Sequence, residues 1–203
     1  MVWSMQLFTI ITVYMIGLLF FTLKRTQLLE YLTNNKGLHV FRNALLLSAL
    51  AYSIPLVANA LTDMPKLVPQ LATSMFATAA LVFLTQSSVK RFNLDTITHV
   101  AYITAMVCGI LSVLISPYVA LIVQMLVVTA ILLQTMKSRG LLTYIAPTFA
   151  LAIFCHTTVI LDTIPLPRIP LLLLSALLYT YLAWKMGRWD KWGVHPYKWA
   201  RTF

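Results

Sequence analysis

Apolar residues in this chain come in six long uncharged runs, separated by short segments that contain lysine, arginine or proline. One run, from Thr96 to Met136, has about twice the roughly 20 residues that a single membrane-spanning helix needs. Ser116-Pro117 divides it, since proline cannot continue a helix and restricts the residue before it. The pattern therefore predicts seven helical spans, at about residues 2–23, 43–62, 67–89, 96–116, 118–136, 140–162 and 166–185.

Composition places these spans in a membrane. Hydrophobic residues make up 60% of the 203 residues and charged residues only 10%, against about 25% charged in an ordinary soluble domain. A soluble core would leave most of this apolar surface in water, so lipid must cover it. We expect an all-α, polytopic membrane protein: a seven-helix transmembrane bundle over about residues 1–187, followed by a tail over about residues 188–203.

Basic residues mark one side of the predicted bundle. Lysine and arginine at the ends of spans 1, 3, 5 and 7 greatly outnumber those at the opposite ends, where only Lys66 and Arg168 occur. Such an excess identifies the cytoplasmic side. The expected orientation in the cell membrane is therefore N-terminus out and C-terminus in. The basic residues on the cytoplasmic side are Lys24, Arg25, Lys36, Arg42, Lys90, Arg91, Lys137, Arg139, Lys185, Arg188, Lys191, Lys198 and Arg201.

The segment "WKMGRWDKWGVHPYKWARTF" interleaves tryptophan with basic residues just past span 7. Aromatic rings favour the headgroup level, and basic side chains there are attracted to anionic lipid. We therefore predict a lipid-interface segment with anionic headgroups as its partner. A docking tail for a protein partner is the alternative, and nucleic-acid binding is disfavoured. The interface residues are Trp184, Lys185, Arg188, Trp189, Lys191, Trp192, Lys198 and Trp199.

Charged residues are missing from the middle of every predicted span. Because ion sites and proton relays in membranes normally use such residues, a proton pump or carboxylate-based transporter is disfavoured. A retinal protein is disfavoured too, since span 7 offers only Lys185, at its end. The sequence has no H-E-x-x-H, G-x-S-x-G or Walker motif, so we expect no catalytic residues, no metal, no cofactor and no enzymatic activity.

Polar residues on five spans reach a similar depth in the outer half of the bundle. At about 1.5 Å per helical residue, Asn59 and His156 lie roughly 24 Å above their cytoplasmic ends. Such a layer can line a pocket for a small ligand; alternatively, its members hydrogen-bond one another between helices. His99 lies about 18 Å from His156 in depth, too far for both to bind one metal or haem. The candidate ligand-binding layer comprises Asn59, Gln70, Gln124, His156 and Ser175.

Two short sequence similarities bear on an internal repeat and on related protein families. "FFTLKRTQLLEY" after span 1 is similar to "LLQTMKSRGLLTY" after span 5, and this register favours two parallel three-helix units joined by span 4. The 3+1+3 topology resembles that of the sugar-transporter and opsin-like families. "KGLHVFRNALLLSALAY" resembles a segment of uncharacterised archaeal seven-span proteins, a resemblance that implies an archaeal membrane protein and no particular activity.

Three functional classes fit these features. The first is a receptor-like or sensor-like bundle that binds a small ligand or a membrane partner and acts through its basic cytoplasmic face. The second is a facilitator for small uncharged solutes, and the third is a non-catalytic accessory subunit of a larger membrane complex. A pocket on one side favours the first, a continuous polar path the second, and an extended apolar or small-residue face the third.

Overall fold

The computed structural model describes residues 2–34, 36–61, 65, 67–87, 94–137, 142–161 and 167–188. Within them the chain forms seven α-helices, so the predicted all-helical class is confirmed. α1, α2, α3, α5 and α7 are long and apolar enough to cross a membrane, consistent with a multi-pass membrane protein. α4 and α6 contain shorter apolar stretches. The helices are α1 (Val2–Thr33), α2 (Lys36–Ala60), α3 (Leu67–Ser87), α4 (Leu94–Leu114), α5 (Tyr118–Lys137), α6 (Leu142–Leu161) and α7 (Arg168–Gly187).

The longest apolar run of the sequence breaks where proline requires it. α4 ends at Leu114 and α5 begins at Tyr118, which confirms the break predicted at Ser116-Pro117. Ser116 precedes α5 and bonds its first backbone donors: its hydroxyl oxygen accepts a hydrogen bond from the backbone N–H of Tyr118 at 3.3 Å. Its carbonyl accepts one from the N–H of Val119 at 3.0 Å. Together these bonds satisfy two backbone donors at the start of α5.

A tight connection joins α1 to α2. Asn34 adopts a left-handed conformation with φ of 50°, and its N–H donates to the Glu30 carbonyl at 2.7 Å. This is a common way to end a helix, and asparagine tolerates it better than most residues. The Glu30 carboxylate then bonds Arg42 Nη1 at 2.9 Å and lies 2.9 Å from His39 Nδ1. Glu30 therefore joins the C-terminal end of α1 to the N-terminal part of α2.

Contacts between α1 and α7 show that these two helices run in the same direction. Tyr14 and Thr180 share a hydrogen bond of 3.0 Å between their hydroxyls. Seven residues further along both helices, a side chain on Gly187 would lie 3.3 Å from ring carbons of Phe21. Because later residues of α1 meet later residues of α7, the helices are parallel.

α6 and α7 run in opposite directions. Ser175 contacts Ala152, whereas Tyr179, one turn later on α7, contacts Phe149 earlier on α6. A parallel α1 and α7 with an antiparallel α6 is the arrangement expected when an odd number of helices alternate in direction.

α3 occupies the centre of the bundle, packed against α2, α4, α5 and α6. Small residues on several faces of this helix permit close approach by its neighbours. Those that are fully buried are Thr73, Ser74, Ala77, Thr78, Ala79 and Ala80.

The outer surface of the bundle is broadly apolar. Large hydrophobic side chains are exposed on α1, α4, α5 and α7, and a soluble monomer rarely exposes such an extended apolar surface. This surface fits contact with lipid chains. Examples are Ile10, Phe20, Ile103, Val107, Ile122, Leu126, Leu133 and Leu177.

Candidate functional site

His156 of α6 lies in the interior of the bundle, where this helix meets α1 and α2. Its ring is stacked on the ring of Tyr52 from α2, with 3.9 Å between the centroids and 11° between the planes. Phe8 of α1 and the imidazole form a T-shaped pair, with 6.3 Å between the centroids. The histidine has no exposed surface. Two aromatic side chains from two other helices therefore fix the plane of the imidazole.

Both ring nitrogens of His156 are buried, and neither has a hydrogen-bond partner within the part of the chain that the structure describes. A neutral imidazole offers one donor and one acceptor. Leaving a buried polar group unpaired costs about 1–3 kcal/mol, and native proteins rarely tolerate it. The unpaired nitrogens make His156 the strongest candidate in the described residues for contact with a hydrogen-bonding ligand.

A pair of tyrosines continues the site toward α7. The hydroxyls of Tyr52 and Tyr179 share a hydrogen bond of 2.6 Å in the buried interior. The Tyr179 ring packs edge-on against Phe149 of α6 at 5.9 Å. Sequence reasoning did not select this pair for the polar layer. The available signal is helical spacing, since Tyr179 follows Ser175 by four residues and lies on the same face of α7.

Ser175 lies on the same side of α6 as this aromatic group. Its hydroxyl donates to the Ala152 carbonyl at 2.9 Å, and Ala152 is one turn before His156. The serine has no exposed surface. Ser175 therefore belongs to the neighbourhood of His156, with its hydrogen bond already made within the bundle.

Gln124 is part of a second polar group, on the other side of α3. Its side-chain nitrogen donates to the Thr78 hydroxyl at 3.3 Å, and that hydroxyl donates to Cys108 Sγ at 3.4 Å. This chain of bonds connects α5, α3 and α4. Gln124 Oε1 is buried and has no partner in the described residues.

Gln70 and Asn59 lie apart from both groups. The Gln70 side chain donates to the Ser112 carbonyl of α4 at 3.3 Å, and Asn59 is exposed near the end of α2. Of the five residues in the predicted layer, the structure thus brings His156 and Ser175 into one neighbourhood. It places Gln124 in a second group, and Gln70 and Asn59 elsewhere.

Three hydroxyls in the interior also lack partners in the described part of the chain. They belong to Thr12 of α1, Ser74 of α3 and Thr157 of α6, all without exposed surface. The sequence does not single them out, because hydroxyls in helices usually bond to a carbonyl of their own helix, as Thr26 does with Thr22. Thr12 follows Phe8 by four residues, so it lies on the face of α1 that meets His156.

The described interior is polar in places but carries no charge from acidic or basic residues. None of the buried polar residues is an Asp, Glu, Lys or Arg. An ionic ligand would find no counter-charge among these residues, and burying an unpaired charge at low dielectric costs much free energy. The site is therefore suited to uncharged molecules.

The aromatic and basic residues at the end of α7 form a separate surface. Lys185 Nζ lies 5.3 Å from the centroid of the Trp184 ring, and the Arg188 guanidinium carbon lies 4.8 Å from it. Trp184 is 42% exposed, as suits a side chain at a headgroup interface. The other predicted interface residues, Trp189, Lys191, Trp192, Lys198 and Trp199, lie outside the described residues.

No metal site is visible where side chains are described: they hold no group of three or more His, Cys, Asp or Glu residues able to bind an ion. His99 is exposed on α4, whereas His156 is fully buried.

Comparison with known proteins gives no relative from which a role can be transferred. No family model matches the chain, and no curated protein and no solved structure shows a significant match.

Proposed function

We propose that this chain is a receptor-like or sensor-like protein of the cell membrane that binds a small uncharged ligand at His156. In this proposal it has no enzymatic activity and acts through its basic cytoplasmic face, directly or through a protein partner. One observation carries the proposal. A fully buried histidine of α6 contacts aromatic rings of α1 and α2, and both of its ring nitrogens are unpaired in the described structure.

Seven membrane spans with the N-terminus outside are part of the proposal. The parallel directions of α1 and α7 and the reversed direction of α6 support an odd number of alternating spans. The concentration of lysine and arginine at the ends of the odd-numbered spans supports a cytoplasmic C-terminus.

The hydrogen-bonding groups of the site limit the chemical class of the ligand. A neutral imidazole accepts at one ring nitrogen and donates at the other, so a hydroxyl, carbonyl or amide group is a suitable partner. Tyr52 covers one face of the ring, and both ring nitrogens form hydrogen bonds in the plane of the ring, so a ligand must approach in that plane. The uncharged interior favours a neutral molecule.

The position of the site suggests how binding is transmitted. α1 and α2 both contribute rings against His156, and the same two helices are joined beyond it by Glu30, His39 and Arg42. A ligand shifts a conformational equilibrium only if it binds the two states differently. A ligand bonded to His156 would bind the two conformations with different affinities if α1 or α2 packs differently against α6 in each of them.

Native mass spectrometry of protein purified in a mild detergent tests the proposal. We expect the wild type to carry a small non-covalent adduct, and His156→Phe to lose it while remaining folded, because phenylalanine preserves the stacked ring and removes both nitrogens. His99→Phe, which changes an exposed histidine on α4, is the matched control and should keep the adduct.

Other results of the same experiment favour the other functional classes. A stoichiometric protein that co-purifies equally with the wild type and with His156→Phe, in the absence of any small adduct, supports an accessory subunit. A lone protein without an adduct that admits small uncharged solutes into liposomes supports a facilitator. Either result contradicts the proposed ligand site.

A further inference from the structure

A groove of about 410 Å³ lies on the outside of the bundle, between α1 and α7. Its wall is mainly apolar, and Phe21, Thr180 and Trp184 are exposed along it, so it opens toward the surroundings of the bundle. The groove is distinct from the neighbourhood of His156, which is enclosed. Its apolar wall is formed by Leu18, Phe21, Ala183, Trp184 and Gly187.

The parallel packing of α1 and α7 determines the shape of the groove. Thr180 lies toward one end, where it shares a hydrogen bond of 3.0 Å with Tyr14 across the two helices. Toward the other end, Gly187 presents no side chain, and a Cβ there would lie 3.3 Å from the Phe21 ring. The lining thus covers about two turns of α7, from Thr180 to Arg188, and about one turn of α1, from Leu18 to Phe21. The length of the groove runs along the bundle axis.

Basic groups lie around the end of the groove where α7 terminates. Arg188 lines it and lies over Trp184 at 4.8 Å. Lys185 is 5.3 Å from the same ring centroid. From α1, Arg25 lies over Phe21 at 5.7 Å. Both aromatic walls of the groove therefore carry a guanidinium or ammonium group.

Arg25 and Arg188 have no acidic partner among the side chains that the structure describes. The only carboxylate among the described side chains is that of Glu30, and it bonds to Arg42. An apolar channel that ends beneath several basic groups complements a molecule with an apolar chain and an anionic head.

We infer that the α1–α7 groove binds one anionic phospholipid from the leaflet that surrounds the basic ends of these helices. The acyl chain lies along Leu18 and Ala183, and the phosphate lies near Arg188 and Lys185, with Arg25 on the opposite wall. Arginine suits this role because its planar guanidinium can donate two hydrogen bonds to one phosphate. The inference needs a membrane protein, and it does not depend on the receptor role or on the ligand at His156.

Lipid titration of delipidated protein, followed by native mass spectrometry, tests the inference. Phosphatidylglycerol and phosphatidylcholine with the same acyl chains serve as the anionic and zwitterionic probes. We expect the first phosphatidylglycerol to bind at least about tenfold more tightly than phosphatidylcholine. Removing each basic group should weaken phosphatidylglycerol binding by about fivefold, which is the effect of about 1 kcal/mol per basic residue near a membrane surface.

The variants Arg188→Gln and Lys185→Gln locate the site, and Arg168→Gln is the matched control. Arg168 is an exposed arginine at the opposite end of the same helix, so its replacement should leave the affinity for phosphatidylglycerol unchanged. The inference is wrong if both lipids bind equally, or if Arg168→Gln weakens binding as much as Arg188→Gln does. It is also wrong if soluble glycerol phosphate displaces the lipid, since that result identifies a free-phosphate site without a role for the groove.

Discussion

Thr73 of α3 donates a hydrogen bond of 3.2 Å to the carbonyl of Ala51 in α2. That carbonyl is four residues before Pro55, which lies inside the same helix and has no N–H to offer it. In a membrane interior no water can replace the missing donor. The threonine hydroxyl therefore compensates for the proline and fastens α2 to the central helix.

Replacing Thr73 with valine should destabilise the protein by about 1 kcal/mol, in the range found for hydrogen bonds between membrane helices. Valine keeps the size and branching of the side chain and removes the hydroxyl. In a Pro55→Ala background the loss should be smaller, because alanine supplies the helical N–H that satisfies Ala51. Denaturation in mixed micelles measures the four proteins of this cycle, and an equal loss in both backgrounds would contradict the interpretation.

The sequence predicts the helices of this protein better than it predicts the polar contacts between them. Uncharged runs and the Ser116-Pro117 break indicate where helices lie, because lipid tolerates few other backbone structures. The depth of a residue in the membrane also follows from its position along the helix, because each helical residue adds a fixed rise. The direction in which a side chain points around the helix axis is harder to read, because these helices are apolar on most sides.

The polar groups illustrate this difference. Asn59 and His156 have similar predicted depths, yet Asn59 is exposed and His156 is fully buried. Tyr52 and Tyr179 join across the interior, although tyrosine in a membrane helix commonly marks the interface. Only the packing of α2 against α6 and α7 decides which of these residues face one another.

The Tyr52–Tyr179 hydrogen bond should behave as a coupled pair. Tyr52→Phe or Tyr179→Phe alone removes one hydroxyl and leaves the other buried without its partner, so each should destabilise the protein by about 1 kcal/mol. The double variant should be less destabilised than the sum of the two, by a coupling energy of about 0.5–1.5 kcal/mol. Phenylalanine at residue 52 preserves the ring stacked on His156.

Unfolding free energies of the wild type, both single variants and the double variant provide the measurement. Tyr14→Phe serves as a control, because its hydroxyl bonds Thr180 at an exposed position and is unrelated to this pair. Strict additivity of Tyr52→Phe and Tyr179→Phe would show that the two hydroxyls do not interact in the folded protein.

Gly109 permits the close packing of α4 against α3. A Cβ at Gly109 would overlap Met75 Cγ and lie 3.1 Å from its sulfur, so Met75 would have to move. We expect Gly109→Ala to destabilise the protein by about 1–3 kcal/mol, the usual effect of overpacking. Truncating the neighbour, in the double variant Gly109→Ala with Met75→Ala, should relieve this steric part of the loss.

Gly17 supplies the matched control, since a Cβ added there would meet nothing within 4 Å. Gly17→Ala should be neutral or stabilising by up to about 1 kcal/mol, because alanine is the better helix former. Thermal unfolding in the same detergent compares the two. If both glycine replacements shift the melting temperature equally and in the same direction, close packing at Gly109 does not explain the effect.

Cysteine labelling tests the proposed orientation directly. Both native cysteines are buried, and replacing them with alanine gives a background for single reporters. Gln27→Cys is near the predicted cytoplasmic end of α1, and Tyr118→Cys is at the predicted outer start of α5; both positions are exposed. With the N-terminus outside, a membrane-impermeant maleimide added to intact cells should label Tyr118→Cys and leave Gln27→Cys unlabelled. In permeabilised cells the maleimide should label both reporters, which shows that each thiol is reactive.

The reverse labelling pattern in intact cells would place the basic ends of α1 and α7 outside, against the positive-inside distribution of charge. Labelling of both reporters in intact cells would mean that these two positions lie on the same side, which an alternating bundle with three intervening spans does not allow.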